Sequence, residues 1–87
     1  MPARRYNIFT QSKTGYIDVD GENVTYSLDR TFQTKQSYVQ SIEKTGDMAL
    51  SKCSAKMSYY SLMGDLQSVE FIINQNELLG LKKTLGK

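Results

Sequence analysis

The sequence predicts an α+β fold: an antiparallel sheet of four or five strands, with an N-terminal β-hairpin and a C-terminal helix packed on the sheet. Three observations carry this expectation. Asp20-Gly21 lies between two runs of strand-like residues, and Asp-Gly suits a two-residue hairpin turn that needs positive φ. Residues 68–73 alternate, with Val69, Phe71 and Ile73 on one face. Beyond them Leu78, Leu81 and Leu85 recur at helical spacing.

Taken in order, residues 5–10 read as a first strand, with Tyr6 and Ile8 on one face. Lys13-Thr14-Gly15 is the first turn signal. Residues 16–19 and 23–28 form the hairpin around Asp20-Gly21. Val24, Tyr26 and Leu28 alternate there with Asn23, Thr25 and Ser27, the pattern of a sheet with one wet face. Thr45-Gly46-Asp47 and Met63-Gly64-Asp65 mark later turns. At the C-terminus, Asn74 or Asn76 can cap the helix, Lys82 and Lys83 fall in its last turn, and Gly86 stands at its stop. Gly80 inside this helix costs about 1 kcal/mol against alanine, so it is expected to permit close packing or a bend.

The middle of the chain reads two ways. Residues 34–44 fit a helix capped by Thr34 that buries Tyr38, Val39 and Ile42, or a strand entering the Thr-Gly-Asp turn. Residues 48–63 place Ala49, Cys53, Ala55, Met57, Tyr59 and Met63 on one face of a strand, or Ala49, Cys53, Met57 and Tyr60 along a helical stripe. The absence of Val, Ile and Thr weakens the strand, and the abundance of serine weakens the helix.

At 87 residues the chain is expected to form a single small domain spanning residues 1–87. Such a chain buries only about 60% of its unfolded surface, so a homo-oligomer is one expected route to stability. Cys53 is the lone cysteine and there is no histidine. An intrachain disulfide is therefore excluded, and the usual zinc and haem ligand sets are missing. No cofactor is expected. The lone thiol, the absence of a secretory pattern and the lack of an apolar run of about 20 residues point to the cytoplasm, with no membrane partner.

Net charge is +2. Residues 1–43 carry five basic and five acidic side chains, and residues 44–87 carry six and four. This mild, dispersed surplus is well short of a polybasic footprint.

Removal of Met1 would expose the secondary amine of Pro2, a potential base or nucleophile where burial and cations lower its pKa. In this the start of the chain resembles the tautomerases that use an N-terminal proline, over two or three residues. Those proteins follow the first strand with a long helix, whereas a hairpin is expected here. Asp18, Asp20 and Glu22 are spaced as in a cation-binding loop, but position 29 is Asp29 and the distal glutamate of such a loop is missing. A charged hairpin tip accounts for the same residues. Cys53 has no histidine to activate it, and free cysteines are most often buried. No phosphate-binding glycine loop and no hydrolase elbow occurs.

With the usual bases, nucleophiles and ligands missing, the sequence is read as a non-enzymatic protein-interaction module: a small accessory subunit, inhibitor or virus-encoded regulator. It would dock on a protein partner through a sheet face or edge. Arg4, Arg5, Arg30 and Lys35 are the expected contact residues, since arginine and tyrosine are often energetic at interfaces. The alternative is a single-stranded nucleic-acid-binding protein. It would use the same interleaving of cations with rings, in Arg4-Arg5-Tyr6, in Arg30-Thr31-Phe32 with Lys35 and Tyr38, and in Lys52, Lys56, Tyr59 and Tyr60.

Overall fold

A computed structural model of the chain describes residues 4–87. It contains strands β1 (Arg4–Phe9), β2 (Thr14–Asp20), β3 (Asn23–Ser27), β4 (Thr31–Lys35), β5 (Val39–Asp47), β6 (Lys52–Tyr60) and β7 (Leu66–Asn74), followed by helix α1 (Gln75–Leu85). A short 3-10 turn, Gln36–Tyr38, joins β4 to β5. All seven strands belong to one antiparallel sheet in the order β4-β3-β2-β1-β7-β6-β5. The α+β class therefore holds, but the expected sheet of four or five strands is too small. The additional strands are β5 and β6, from the two segments whose periodicity was ambiguous, and β4, which no sequence pattern marked.

Burial explains why those segments became strands. Along β6, Cys53, Ala55, Met57 and Tyr59 are buried, and Lys52, Ser54, Lys56 and Ser58 take the other face. β6 is flanked on both sides, by β5 and β7, so packing overrides the weak β-propensity of its serines. Ala49 and Met63 leave the strand and fall in the turns at its ends. On β5, Val39 and Ile42 are both buried although three residues apart, because the ladder shifts register between Val39 and Ser41. This bulge imitates helical spacing. A second register shift, between Lys44 and Gly46, carries the strand through the Thr-Gly-Asp signal, and the expected turn moves to the residues after Asp47.

That turn is strained. Lys52 N–H donates to the Ala49 carbonyl at 3.3 Å, and the two central residues, Leu50 and Ser51, have φ of 63° and 61°. These are the φ values of a type I′ turn, which suits Asn-Gly and costs a non-glycine residue roughly 1–2 kcal/mol. Leu50→Asn with Ser51→Gly is expected to raise stability by about 1–2 kcal/mol, read as a higher denaturant midpoint with unchanged slope.

The sheet curls about its inner face. Phe32 of β4 stacks on Tyr59 of β6, with ring centroids 4.7 Å apart, although β4 stands at the far edge in strand order. Tyr26 stacks on Phe32 from the other side at 4.9 Å, and Phe71 lies 6.3 Å from Tyr26. β1 and β7 share only two register pairs, Ile8 with Ile73 and Phe9 with Ile72. Helix α1 covers that weak junction, burying Leu78, Leu81 and Leu85, and Thr84 Oγ1 lies 2.7 Å from the Tyr6 hydroxyl. The expected caps are present. The Asn74 side chain accepts from Asn76 N–H, and Gly86 closes the helix with φ of 71°.

Two buried groups make stability sensitive to alkali. Burial raises the Cys53 thiol above its ordinary 9.0. Burial, then the Asp29 charge and its hydrogen bond, raises Tyr26 well above its ordinary 10.0. Both groups fold protonated, and the unfolded chain loses each proton first as pH rises. Their stabilising effect is complete below about pH 8 and is lost progressively as pH rises past about 9–10, where the unfolded chain's groups ionise first. The melting temperature is expected to hold from pH 6 to 8 and to fall beyond pH 9, with a shallower fall in Tyr26→Phe.

Candidate protein-docking site

The β6–β7 hairpin ends in a turn that satisfies itself. Gly64 N–H donates to the Ser61 carbonyl at 2.9 Å, Ser61 N–H to the Asp65 carbonyl at 2.8 Å, and Asp65 N–H to Ser61 Oγ at 3.2 Å. Gly64 has φ of 86°, the left-handed region that glycine enters without strain. Leu62 and Met63 thus occupy the two central turn positions and touch no core: they are 92% and 89% exposed. Turns ordinarily carry Gly, Pro, Asn, Asp and Ser there.

Leu66, Tyr60 and Tyr38 are also exposed at this end of the sheet. Beside them lies a groove of about 400 Å³. One wall is β4, from Phe32 to Lys35, and the other runs from Tyr59 to Leu62, with Tyr38 between β4 and β5. The Phe32–Tyr59 stack bounds it, and Lys35 is the charged residue lining it. The 3-10 turn carrying Tyr38 is fixed by the β2–β3 turn: Ser37 N–H donates to the Glu22 carboxylate at 3.1 Å, and Gln36 Nε2 donates to the Gly21 carbonyl at 2.5 Å.

The four expected contact residues do not share one surface. Lys35 lines the groove. Arg30 precedes β4, and its guanidinium donates to the Tyr59 hydroxyl at 3.3 Å and lies over the Phe32 ring at 5.5 Å. Arg4 and Arg5 stand on β1, three strands from β4. Arg5 donates two hydrogen bonds to Asp18, at 2.8 and 3.0 Å, and rests on the Tyr16 ring at 4.0 Å. Here the cation and the aromatic face engage each other. Of the aromatics named with the cations, Phe32, Tyr38, Tyr59 and Tyr60 do meet at the groove.

The other candidates have structural roles. Asp18 pairs with Arg5 and Glu22 anchors the 3-10 turn, while Asp20 pairs with Asn23 across the hairpin. Among the described residues, no three acidic or cysteine side chains gather as a metal site would need. Cys53 is buried, and its thiol donates to the Ile73 carbonyl at 3.6 Å. Pro2 lies outside the described residues. The apolar tip, Leu62, Met63 and Leu66, was not among the sequence candidates. Its signal was two large apolar residues directly before Gly64-Asp65, a place where turns are polar.

No family model matches the chain, and no curated protein matches it in sequence. No helix is long and apolar enough to cross a membrane, among the described residues.

Proposed function

We propose that this chain is a non-enzymatic protein-interaction module that docks on a protein partner through the β6–β7 tip and the adjoining edge strand β4. One observation carries the reading: Tyr38, Tyr60, Leu62, Met63 and Leu66 stay exposed together at one end of the sheet, whereas the other large exposed apolar side chains, Met48, Leu50 and Leu79, lie in the β5–β6 turn and on α1. Contiguous apolar patches of more than a few hundred Å² mark interaction sites on soluble proteins. Tyrosines supply large rigid contact area with a polar tip, which suits the centre of an interface. Lys35 and Arg30 then serve as its basic rim.

The experiment is affinity capture from a lysate of the cells that make the protein, with and without nuclease, run in parallel with Leu62→Asp/Met63→Asp. One protein captured stoichiometrically by the parent chain and lost with the variant supports the reading. Equal capture by both chains excludes this surface, and nuclease-sensitive capture favours the single-strand alternative.

A further inference from the structure

Resting on that docking site, we infer that the groove takes an extended peptide segment of the partner as an added strand on β4, with a carboxylate side chain of the segment against Lys35.

The backbone of β4 carries the argument. Gln36 N–H donates to the Glu22 carbonyl at 2.9 Å, and Leu28 N–H to the Arg30 carbonyl at 3.1 Å. In an antiparallel ladder, residues exchanging such bonds alternate with residues whose N–H and C=O point away. With β3–β4 paired as Val24 to Thr34 and Tyr26 to Phe32, the even-numbered residues of β4 face β3. Thr31, Gln33 and Lys35 therefore aim their N–H and C=O groups at the free edge, three consecutive docking points for another strand. Among the described residues, no hydrogen bond uses these three amides.

The two sheet edges differ. β5 has two register shifts and presents Glu43 and Lys44, the bulges and charges that discourage pairing. β4 has no register shift and a single charge, Lys35. The groove lies against this unguarded edge, with Phe32, Tyr38 and Leu62 ready to receive alternate apolar side chains of the segment. Lys35 is the charge in its lining, so complementarity calls for an acid opposite it. Strand addition of this kind takes affinity from main-chain bonds and specificity from alternate side chains.

The test pans a phage-displayed library of random nonapeptides against the folded chain and follows amide exchange by NMR on adding the enriched peptides. The expected result is peptides alternating apolar residues with an acid near one end, which slow exchange at Thr31, Gln33 and Lys35. Phe32 and Thr34, already bonded to β3, should change little. Gln33→Pro removes an outward N–H while keeping the β3 ladder, and is expected to weaken binding by at least tenfold. If Gln33→Pro does not fold, the alternating protection in the parent chain decides alone. No enriched peptide, or protection away from these three amides, overturns the inference. Should that happen while Leu62→Asp/Met63→Asp still abolishes partner capture, the docking surface stands and only strand addition fails.

Discussion

Gly15→Ala is expected to lower stability by about 3 kcal/mol or more, the upper range for forcing atoms into a packed site. In a domain of this size that is a fall in melting temperature of about 12–24 °C. Gly15 lies in β2, opposite Ile8 of β1. On its other side the chain leaving β3 passes so closely that an added Cβ would overlap the Ser27 carbonyl oxygen and stand 2.8 Å from the Leu28 Cα. Both obstacles are backbone, so no side-chain rotation relieves them. Gly80 is the contrasting case. A Cβ there meets Tyr6 Cε1 at 3.5 Å, an ordinary contact, so Gly80→Ala should gain most of the roughly 1 kcal/mol that alanine offers a helix. Thermal melts of the two variants beside the parent chain check both signs. A near-parental Gly15→Ala would mean that β2 and β3 separate more easily than this packing allows.

The second large effect falls on binding. Leu62→Asp with Met63→Asp is expected to weaken partner affinity by about 100-fold or more, as loss of central apolar anchors does. The melting temperature should stay within a few degrees. The two side chains are 92% and 89% exposed, and their turn is held by Ser61 and Gly64. Exposed substitutions that disturb no cap or packing typically change stability by about 0.5 kcal/mol or less. Glu70→Ala on the outer face of β7 is the matched control and should bind as the parent does. Loss of binding and of folding together would place Leu62 and Met63 in the core instead.

Some of this was legible in the residues. Gly21 marked its hairpin because glycine enters positive φ cheaply, and it has φ of 59°; the turn centres on Gly21-Glu22, with Asp20 remaining in β2 opposite Asn23. Asn74 and Gly86 marked the helix ends by satisfying orphan backbone groups, a local effect that needs no tertiary context. Other features depended on partners distant in sequence. Lys13-Thr14-Gly15 looked like a turn, but Gly15 serves a close approach between strands and the turn precedes it. Val39 and Ile42 looked helical because a bulge changed the strand period. The serines of β6 concealed a strand that β5 and β7 flank on both sides and whose alternate residues, from Cys53 to Tyr59, are buried.

The candidate site was half legible for a related reason. Choosing cations by residue type found Lys35, which lines the groove, and Arg30, which braces Tyr59. It also chose Arg5, whose charge Asp18 engages from a strand that only the hairpin register brings alongside. Leu62 and Met63 carry no charge to draw the eye, although large apolar residues at turn centres have no local reason to be there. Their exposure acquires meaning only once Tyr38 and Tyr60, from other elements, are seen beside them.

The most direct test of the docking surface is hydrogen exchange of the purified complex, read by mass spectrometry on peptides covering residues 31–38 and 58–66. Binding is expected to slow exchange in both segments and to leave residues 14–20 of β2 unchanged. Unchanged exchange at residues 58–66, with protection on β1 and β2 around Arg5, would contradict the account and move the interface to the outer face of the sheet.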